Sequence, residues 1–257
     1  MSLHRIVNLN RRLGLFTPQI HEYLFLLGAM KCGTTTLFSY LAQHPEICQN
    51  LFQKEPEYFS NHSEELDIRS YYRQYFPLPF KRQIALEAST GYTKIPGFPN
   101  VADKLNSLPG KKYFAYIVRN PVERIESHMA HNIAANEKKF DDLFTDGSLA
   151  YYLAVSRYAF QLDAYRAAFP DHQVLLLDFE VLKTDPLEVV RSVCRHIGID
   201  DLFAFSYIPP QNTRRSDNGA IDFRLSFLQR EMLKERLQSD MDRFKYVYGF
   251  DVSNWGF

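Results

Sequence analysis

A lysine and three consecutive hydroxyl residues lie in and directly after a short loop that two glycines bound. Lys31 stands inside this loop, which runs from Gly28 to Gly33, and the hydroxyl residues Thr34 to Thr36 follow it. An apolar run typical of a buried strand, residues 24–27, precedes the loop, and apolar side chains recur at helical spacing over residues 37–41. Because the N–H groups of such a loop and of a first helical turn attract negative charge, the pattern predicts an anion-binding site.

The loop has the spacing of a nucleotide-binding phosphate loop but a different ending. In a Walker A loop, the second glycine is followed by lysine and then by serine or threonine. Here Thr34 and Thr35 take those two positions, and the lysine lies within the loop. The sequence therefore favours a phosphate cradle that is not built around a nucleoside triphosphate and magnesium. Taken alone, the loop fits an ordinary glycine-rich turn with an exposed lysine equally well.

A second candidate anion contact follows the strand predicted over residues 112–118. The strand runs into Arg119, and Asn120 and Pro121 suit the N-cap and the first position of a helix. The polar face predicted for that helix comprises Arg124, Ser127, His128 and His131. Either Arg119 and Ser127 bind an anion together, or Arg119 pairs with a carboxylate and Ser127 faces water.

Two glutamates are candidates for proton transfer. Glu55 follows Lys54 in a loop, and a carboxylate placed beside an anion site can act as a general base. A solvated charge pair is the alternative. Glu87 lies near the end of a buried strand predicted over residues 84–88, where it is either a site residue or a hydrogen-bonded structural carboxylate.

Composition limits the classes of protein that this chain can belong to. Its 257 residues, 46% of them hydrophobic, suffice for a large core, and its zero net charge argues against sequence-independent nucleic-acid binding. The three cysteines have no metal-binding spacing. The longest apolar run, residues 23–30, is shorter than the roughly 20 residues of a membrane helix. We expect a soluble, cytoplasmic protein with no signal peptide and a single domain over residues 1–257, which residues 1–22 extend at the N-terminus.

Strand patterns alternate with helix patterns along the chain. A third strand is predicted over residues 173–178, and helices over residues 149–169, 186–197 and 223–241. Alternation of this kind predicts an α/β fold with a central parallel sheet flanked by helices. Ligands bind such sheets at the carboxyl ends of the strands, where both Lys31 and Arg119 are expected.

The two motifs together resemble those of a known enzyme family. The segment Gly28 to Leu37, followed by Lys54-Glu55-Pro56, is similar to the 5′-phosphosulfate-binding end of sulfotransferases. Arg119 to Arg124, with Ser127, resembles their 3′-phosphate-binding segment, about 90 residues further along. The residues of the two motifs most resemble those of the heparan-sulfate-type sulfotransferases and their bacterial relatives. The resemblance implies the P-loop NTPase-like sulfotransferase fold.

The same resemblance implies a donor, 3′-phosphoadenosine 5′-phosphosulfate (PAPS), and no required metal. Lys31 would stabilise the leaving phosphate, Arg119 and Ser127 would hold the 3′-phosphate, and Tyr158 would lie near the adenine. The basic loop 208–220, with Arg214 and Arg215, would close over the donor, although adjacent arginines are also common on surfaces. The residues expected to hold the 5′-phosphate are Cys32, Gly33, Thr34, Thr35 and Thr36.

Glu55 matches the position of the general base in the heparan-type relatives, and His131 and Glu87 are the other candidates. Some relatives carry a lysine just after the carboxylate that corresponds to Glu87, where this chain has Ala88, so a polyanionic glycan is not assured as acceptor. A glycan, a lipid or a small molecule could accept the sulfuryl group. The aromatic-rich segments 58–76 and 92–98 either line an acceptor site or belong to the core. The oligomeric state is open.

Two other functions fit parts of the pattern. A P-loop kinase-like enzyme would bind ATP and magnesium, against which the loop ending argues. A non-catalytic nucleotide-binding module would keep the phosphate cradle but would transfer nothing.

Overall fold

A computed structural model describes residues 20–50, 54–61, 67–76, 84–135, 142–169, 174–209 and 223–257, together with Leu9, Leu13 and Lys139. The basic loop predicted over residues 208–220 lies outside these ranges except at its first two residues. Arg214 and Arg215, and most of the predicted N-terminal extension, are therefore outside the described residues.

Five parallel strands form one sheet in the order β2-β3-β1-β4-β5. This arrangement confirms the predicted α/β fold with a central parallel sheet. The strands are β1 (Glu22–Gly28), β2 (Ile47–Gln49), β3 (Ile84–Ala88), β4 (Lys111–Val118) and β5 (Val174–Asp178). The two central strands place the glycine-bounded loop and Arg119 side by side, because β1 and β4 are neighbours whose carboxyl ends lie at the same edge.

Helices cover both faces of the sheet, as parallel sheets require. They are α1 (Thr34–Leu41), α2 (Tyr58–Asn61), α3 (Ile68–Tyr75), α4 (Val101–Ser107), α5 (Pro121–Ala134), α6 (Asp146–Ser156), α7 (Tyr158–Ala168), α8 (Phe179–Thr184), α9 (Pro186–Ile197) and α10 (Phe227–Tyr248). Short 3₁₀ helices span Thr90–Thr93 and Ser253–Trp255. Among the helices described, none has the length and apolarity needed to cross a membrane.

The prediction of one helix over residues 149–169 is wrong, because the chain turns at Arg157. That residue has non-helical angles, φ −82° and ψ 87°, and separates α6 from α7. The break changes the direction of the following side chains, and Phe160 on α7 is exposed. The new helix begins on a cap from elsewhere in the chain. The buried carboxylate of Asp240, on α10, accepts hydrogen bonds from the N–H groups of Ala159 and Phe160 at 3.1 and 3.0 Å.

The C-terminal helix is also displaced from its predicted position, residues 223–241. It starts at Phe227 because Ser226 and Gln229 form a reciprocal capping box, and it ends where Gly249 adopts a left-handed conformation. The sequence analysis did not find β2, whose three residues are too few to show a period.

The aromatic segment 58–76 belongs to the core in its described part. Its rings are buried and pack against one another and against Phe25 of β1. The buried members of this segment are Tyr58, Phe59, Tyr71, Tyr72, Tyr75 and Phe76. The alternative that these rings line an acceptor site is therefore not supported.

Replacing Asp240 with alanine should weaken the junction between α6 and α7. Two N–H groups at a buried helix start would lose their acceptor, at a cost of about 1–3 kcal/mol in the free energy of unfolding. Chemical denaturation of the variant measures this change. Asp242→Ala is the matched control, because Asp242 is exposed on the same helix and accepts a side-chain bond from Gln238 at 2.9 Å. Equal losses in both variants would contradict the capping role.

Candidate active site

The glycine-bounded loop leads from β1 directly into α1. Lys31 has a left-handed conformation, φ 69°, and so does Gly33, φ 82°, which is the N-cap of α1. A Cβ atom at Gly33 would lie 2.8 Å from Leu182 Cδ2 and 2.9 Å from Phe179 Cε2, so the position has room only for glycine. The close approach to α8 thus fixes the direction in which α1 begins.

Arg119 connects the tip of β4 to the loop after β1. Its guanidinium donates to the carbonyl oxygen of Lys31 at 3.5 Å, pairs with Glu123 at 2.6 Å and lies over the ring of Phe179 at 4.8 Å. Its Nε is buried and has no partner in the described part of the protein. The two predicted anion-binding segments therefore meet, and a buried donor at their junction is available for an anion.

Tyr158 supports Arg119 from below. It is fully buried, and its hydroxyl donates to the carbonyl oxygen of Arg119 at 2.8 Å. The ring contacts Trp255 edge-on at a centroid distance of 6.2 Å, and the Trp255 carbonyl oxygen accepts a 3.4 Å bond from Asn120. The C-terminal segment is thus part of the support for this loop. Cys32 is buried nearby, and burial raises the pKa of its thiol to about 11.

The start of α5 agrees with the sequence pattern, but its polar face does not. Asn120 accepts from the N–H groups of Val122 and Glu123 at 3.0 and 3.4 Å, and Pro121 is the first helical residue. Ser127 is half-buried and His131 exposed. Arg124 and His128, placed by the sequence on the same polar face, are buried instead.

Arg124 is buried because α6 covers that side of α5. Its guanidinium donates to Ser156 Oγ at 2.7 Å and to the Tyr152 carbonyl oxygen at 3.2 Å, and it contacts His128 Nδ1 at 3.3 Å. Burial and, after it, the positive charges of Arg124 and Lys94 together lower the pKa of His128 to about 2. The imidazole is therefore neutral.

Glu55 is fixed in place between two strand tips. Lys54 pairs with it at 2.7 Å and also donates to Thr34 Oγ1 at 3.2 Å, which ties the carboxylate to the start of α1. Thr90, directly after β3, donates to its other oxygen at 2.9 Å. Burial alone raises the pKa of Glu55, but Lys54, the Thr90 bond and the charge of Lys94 outweigh it, so the net pKa lies below its ordinary value.

Glu87 is enclosed by hydroxyl groups under the site. It is 1% exposed and accepts bonds from Tyr71 at 2.5 Å and from Ser89 at 2.7 Å. Burial raises its pKa to about 7, against the opposing effect of these hydrogen bonds. The structure thus presents Glu87 as a hydrogen-bonded carboxyl group of the interior.

The structure brings together Lys31, Thr34, Glu55 and Arg119 at one edge of the sheet. Sequence analysis missed Thr90 and Lys94, which follow β3 at this same edge. Their place after a predicted buried strand was the available signal, because ligands bind α/β sheets there.

A family model described as a sulfotransferase domain matches residues 21–203, which is most of the chain. The chain belongs to the sulfotransferase domain family. This membership confirms the predicted enzyme class, a sulfotransferase. The match spans all five strands, and it includes both the loop that contains Lys31 and the segment that begins at Arg119.

Curated relatives resemble this sulfotransferase over part of their length. The mouse and human bifunctional heparan sulfate N-deacetylase/N-sulfotransferases 1 are each 27% identical over 196 residues, which cover 68% of this chain and 22% of theirs. The Drosophila melanogaster bifunctional heparan sulfate N-deacetylase/N-sulfotransferase is 25% identical over 214 residues. The aligned part is thus about a fifth of the relatives' length.

Solved structures confirm the fold. A sulfotransferase from Alicyclobacillus acidocaldarius superposes with a TM-score of 0.75 at 24% identity, over 93% of this chain and 100% of that one. Mouse sulfotransferase SULT7A1 complexed with PAP gives 0.53 at 17% identity, over 96% and 92%. At these identities the likeness concerns the fold alone.

Replacing Glu87 with glutamine should remove a pH dependence of stability. The folded-state pKa of about 7 lies above the ordinary glutamate pKa of 4.5, so the folded protein binds more protons between these values. The free energy of unfolding should fall as pH rises through this window in the native protein, and stay flatter in the variant. Denaturation at pH 5, 6, 7 and 8 measures both slopes.

The control for this measurement is Glu231→Gln, on the exposed side of α10. It should leave the pH dependence as it is in the native protein. Parallel curves for native protein and Glu87→Gln would show that Glu87 titrates normally.

Proposed function

We propose that this sulfotransferase moves a sulfuryl group from PAPS to a hydroxyl or amine of its acceptor, with Glu55 as general base. The observation that carries the proposal is the meeting of Arg119 and the Lys31 loop, with Glu55 tied to Thr34 through Lys54. Two cationic groups and a carboxylate thereby surround one edge of the sheet.

The residues present fit a donor that carries phosphate at both ends. The buried Nε of Arg119 lacks a partner among the described residues, and a 3′-phosphate would supply one. Ser127, two turns into α5, would add a hydroxyl donor on the same side. At the other end, the left-handed loop and the first turn of α1, Cys32 to Thr36, would hold the 5′-phosphate with backbone N–H groups. A relative of this fold is known in complex with PAP, the product of such a donor.

When bound, the donor supplies a sulfuryl group activated by its link to the 5′-phosphate. Transfer forms a bond between sulfur and the acceptor atom and breaks the bond between sulfur and the phosphate oxygen, by analogy with in-line phosphoryl transfer. Negative charge collects on that oxygen. Lys31 and the positive end of α1 would stabilise it, and preorganised groups of this kind account for much of enzymatic catalysis.

Glu55 is suited to take the proton that the acceptor loses. Because its pKa is held below the ordinary value, the group is ionised at neutral pH and can accept a proton. Lys54 and Thr90 hold its two oxygens in a fixed direction. Lys54 also contacts Thr34, so it couples the base to the donor loop. The other two candidates are less suited, since Glu87 is enclosed by Tyr71 and Ser89, and His131 lies on the exposed side of α5.

The acceptor is proposed at the level of its reacting group. The similar curated proteins are named as heparan sulfate N-sulfotransferases, whose acceptor is an amine on a glycan. Glycans are therefore one acceptor class for this chain, with lipids and small molecules as the others predicted. Three further points stay predictions. They are that the reaction needs no metal, that the protein does not bind nucleic acids, and that it is cytoplasmic.

The donor assignment is tested by thermal shift with 3′-phosphoadenosine 5′-phosphate (PAP). At a hundredfold excess over its dissociation constant, PAP should stabilise the protein by about 2.7 kcal/mol, because it binds only the folded state. Arg119→Met should weaken this stabilisation. Arg195→Met is the control, since Arg195 forms exposed pairs with Glu188 and Asp201.

Stabilisation by ATP with magnesium but not by PAP would overturn the proposal in favour of a kinase-like enzyme. Binding of PAP without transfer from PAPS to any acceptor in a broad screen would instead identify a nucleotide-binding module.

The base is tested with Glu55→Gln. The variant should bind PAP like the native protein but turn over about 10²–10⁴ times more slowly, because the amide cannot take a proton. The acidic limb of the pH profile of kcat/KM in the native enzyme should lie below the ordinary carboxyl pKa of 4.5. A limb near 7 would indicate Glu87, and undiminished turnover of Glu55→Gln would place the base elsewhere.

A further inference from the structure

Lys94 follows the 3₁₀ helix at the tip of β3, on a segment fixed from several sides. Its own N–H bonds to the Gly91 carbonyl oxygen at 3.2 Å. One residue earlier, Thr93 Oγ1 donates to the carbonyl oxygen of Leu27, near the end of β1, at 2.6 Å. One residue later, Gln161 clamps Ile95, accepting from its N–H at 2.9 Å and donating to its carbonyl oxygen at 2.8 Å. The backbone therefore holds Lys94 beside the active site.

The side chain of Lys94 is half-buried among charged groups. The carboxylates of Glu57 and Glu55 act on it with negative charge, and Arg124 and Lys54 act on it with positive charge. Burial lowers the pKa of Lys94 below its ordinary value, and the two glutamates act against that effect. The charge of Lys94 in turn acts on Glu55 and contributes to the lowered pKa of that carboxylate.

The two nearby carboxylates already have partners of their own. Glu55 pairs with Lys54 at 2.7 Å. Glu57 accepts from the Gly91 N–H at 2.9 Å and from Ser60 at 2.6 Å. Within the described part of the chain, Lys94 itself forms no ion pair and its ammonium group no hydrogen bond. A half-buried ammonium without a partner is costly, so this arrangement is suited to a negatively charged ligand group.

The local charge balance also favours an anion. Glu55 and Glu57 act on Lys94 with negative charge and Lys54 and Arg124 with positive charge, so several cations share the attraction of the two carboxylates. His128 adds no charge, because it is neutral.

The sheet order places Lys94 on the acceptor side of the site. Lys31 and Arg119, proposed to hold the donor, follow β1 and β4. Lys94 follows β3, on the other side of β1, next to Thr90, which bonds the proposed base Glu55. A group that gives its proton to Glu55 must lie there, and so must the part of the acceptor next to that group.

We propose that Lys94 binds a negatively charged group of the acceptor, and that this enzyme selects acceptors with a carboxylate or a similar anion close to the hydroxyl or amine that is sulfated. This inference rests on the proposed function and names the acceptor class for it. Lys94 is the specificity-determining residue, because it pairs with the anion while Glu55 takes the proton.

Matched acceptor pairs test this selection. Glucuronides, hydroxy acids and amino acids are each compared with their carboxamides, using labelled PAPS as donor. The native enzyme should prefer the carboxylate member by at least about tenfold in kcat/KM, the loss expected when a charged hydrogen-bonding partner is removed. Lys94→Met should reduce the preference to less than about twofold, by raising KM for the carboxylate more than KM for the carboxamide. Lys94→Arg should keep the preference.

The matched control is Lys112→Met. Lys112 is also buried, but it lies at the start of β4 and donates to the Gly110 carbonyl oxygen at 3.1 Å, so its loss should leave the acceptor preference intact. PAP should stabilise native protein and Lys94→Met equally, which shows that the variant is folded and that its donor site is whole.

Three results would overturn the inference. The native enzyme could show no preference for the anionic acceptors across the panel, or Lys94→Met could retain that preference. Thirdly, the variant could lose activity toward both acceptors of each pair equally, which would assign Lys94 to the transfer step itself. Failure of the proposed function is distinguishable, because PAP would then not stabilise the native protein at all.

Discussion

The contact between Arg119 and the carbonyl oxygen of Lys31 is the constraint on which the site depends. The pairing of β1 and β4 brings the loop and Arg119 side by side, and this contact joins the residues that follow the two strands. An arginine can make this link because its planar guanidinium offers donors in several directions. Here one direction goes to the loop, one to Glu123, and the face of the group rests on Phe179.

A second link, through Lys54, connects Glu55 to the start of α1, and Thr90 connects the same carboxylate to the tip of β3. Lys54 contacts both Glu55 and Thr34, so the carboxylate and the first turn of α1 are held at a fixed separation by one ammonium group. The polar layer made in this way rests on buried aromatic residues under the sheet edge, including Tyr71 and Tyr92. The polar residues of the site thus form one layer, and the buried aromatic residues form a second layer beneath it. Glu87, only a few residues from Thr90, belongs to the buried layer.

The main features of the fold could be predicted from the sequence, because strands buried on both faces give continuous apolar runs. The carboxyl-edge rule then brought Lys31 and Arg119 together without any knowledge of side-chain contacts. The errors have equally physical origins. A polar face on α5 was inferred from spacing alone, but α6 covers half of it and buries Arg124, which finds acceptors on Tyr152 and Ser156. No local pattern reveals a covering helix, because its contacts come from residues far along the chain.

The same reason hid the break at Arg157 and the role of Lys94. The cap that starts α7 comes from Asp240, some 80 residues later, and the charged groups that act on Lys94 come from two other parts of the chain, residues 54–57 and Arg124. Sequence reasoning finds residues whose signal is local, such as a glycine-bounded loop. It misses residues whose function depends on which distant side chains are brought beside them.

The packing of Trp255 against Tyr158 and Asn120 has a consequence for how the protein can be handled and how it can evolve. Both partners flank or support Arg119, so the last few residues act as a wedge under a loop that lies far from them in the sequence. The family match stops at residue 203, well before this wedge. A purification tag or fused partner that displaces Trp255 should therefore also shift the loop that carries Arg119, although it would contact none of the side chains proposed to bind the donor. An alignment limited to the shared domain would not include this segment.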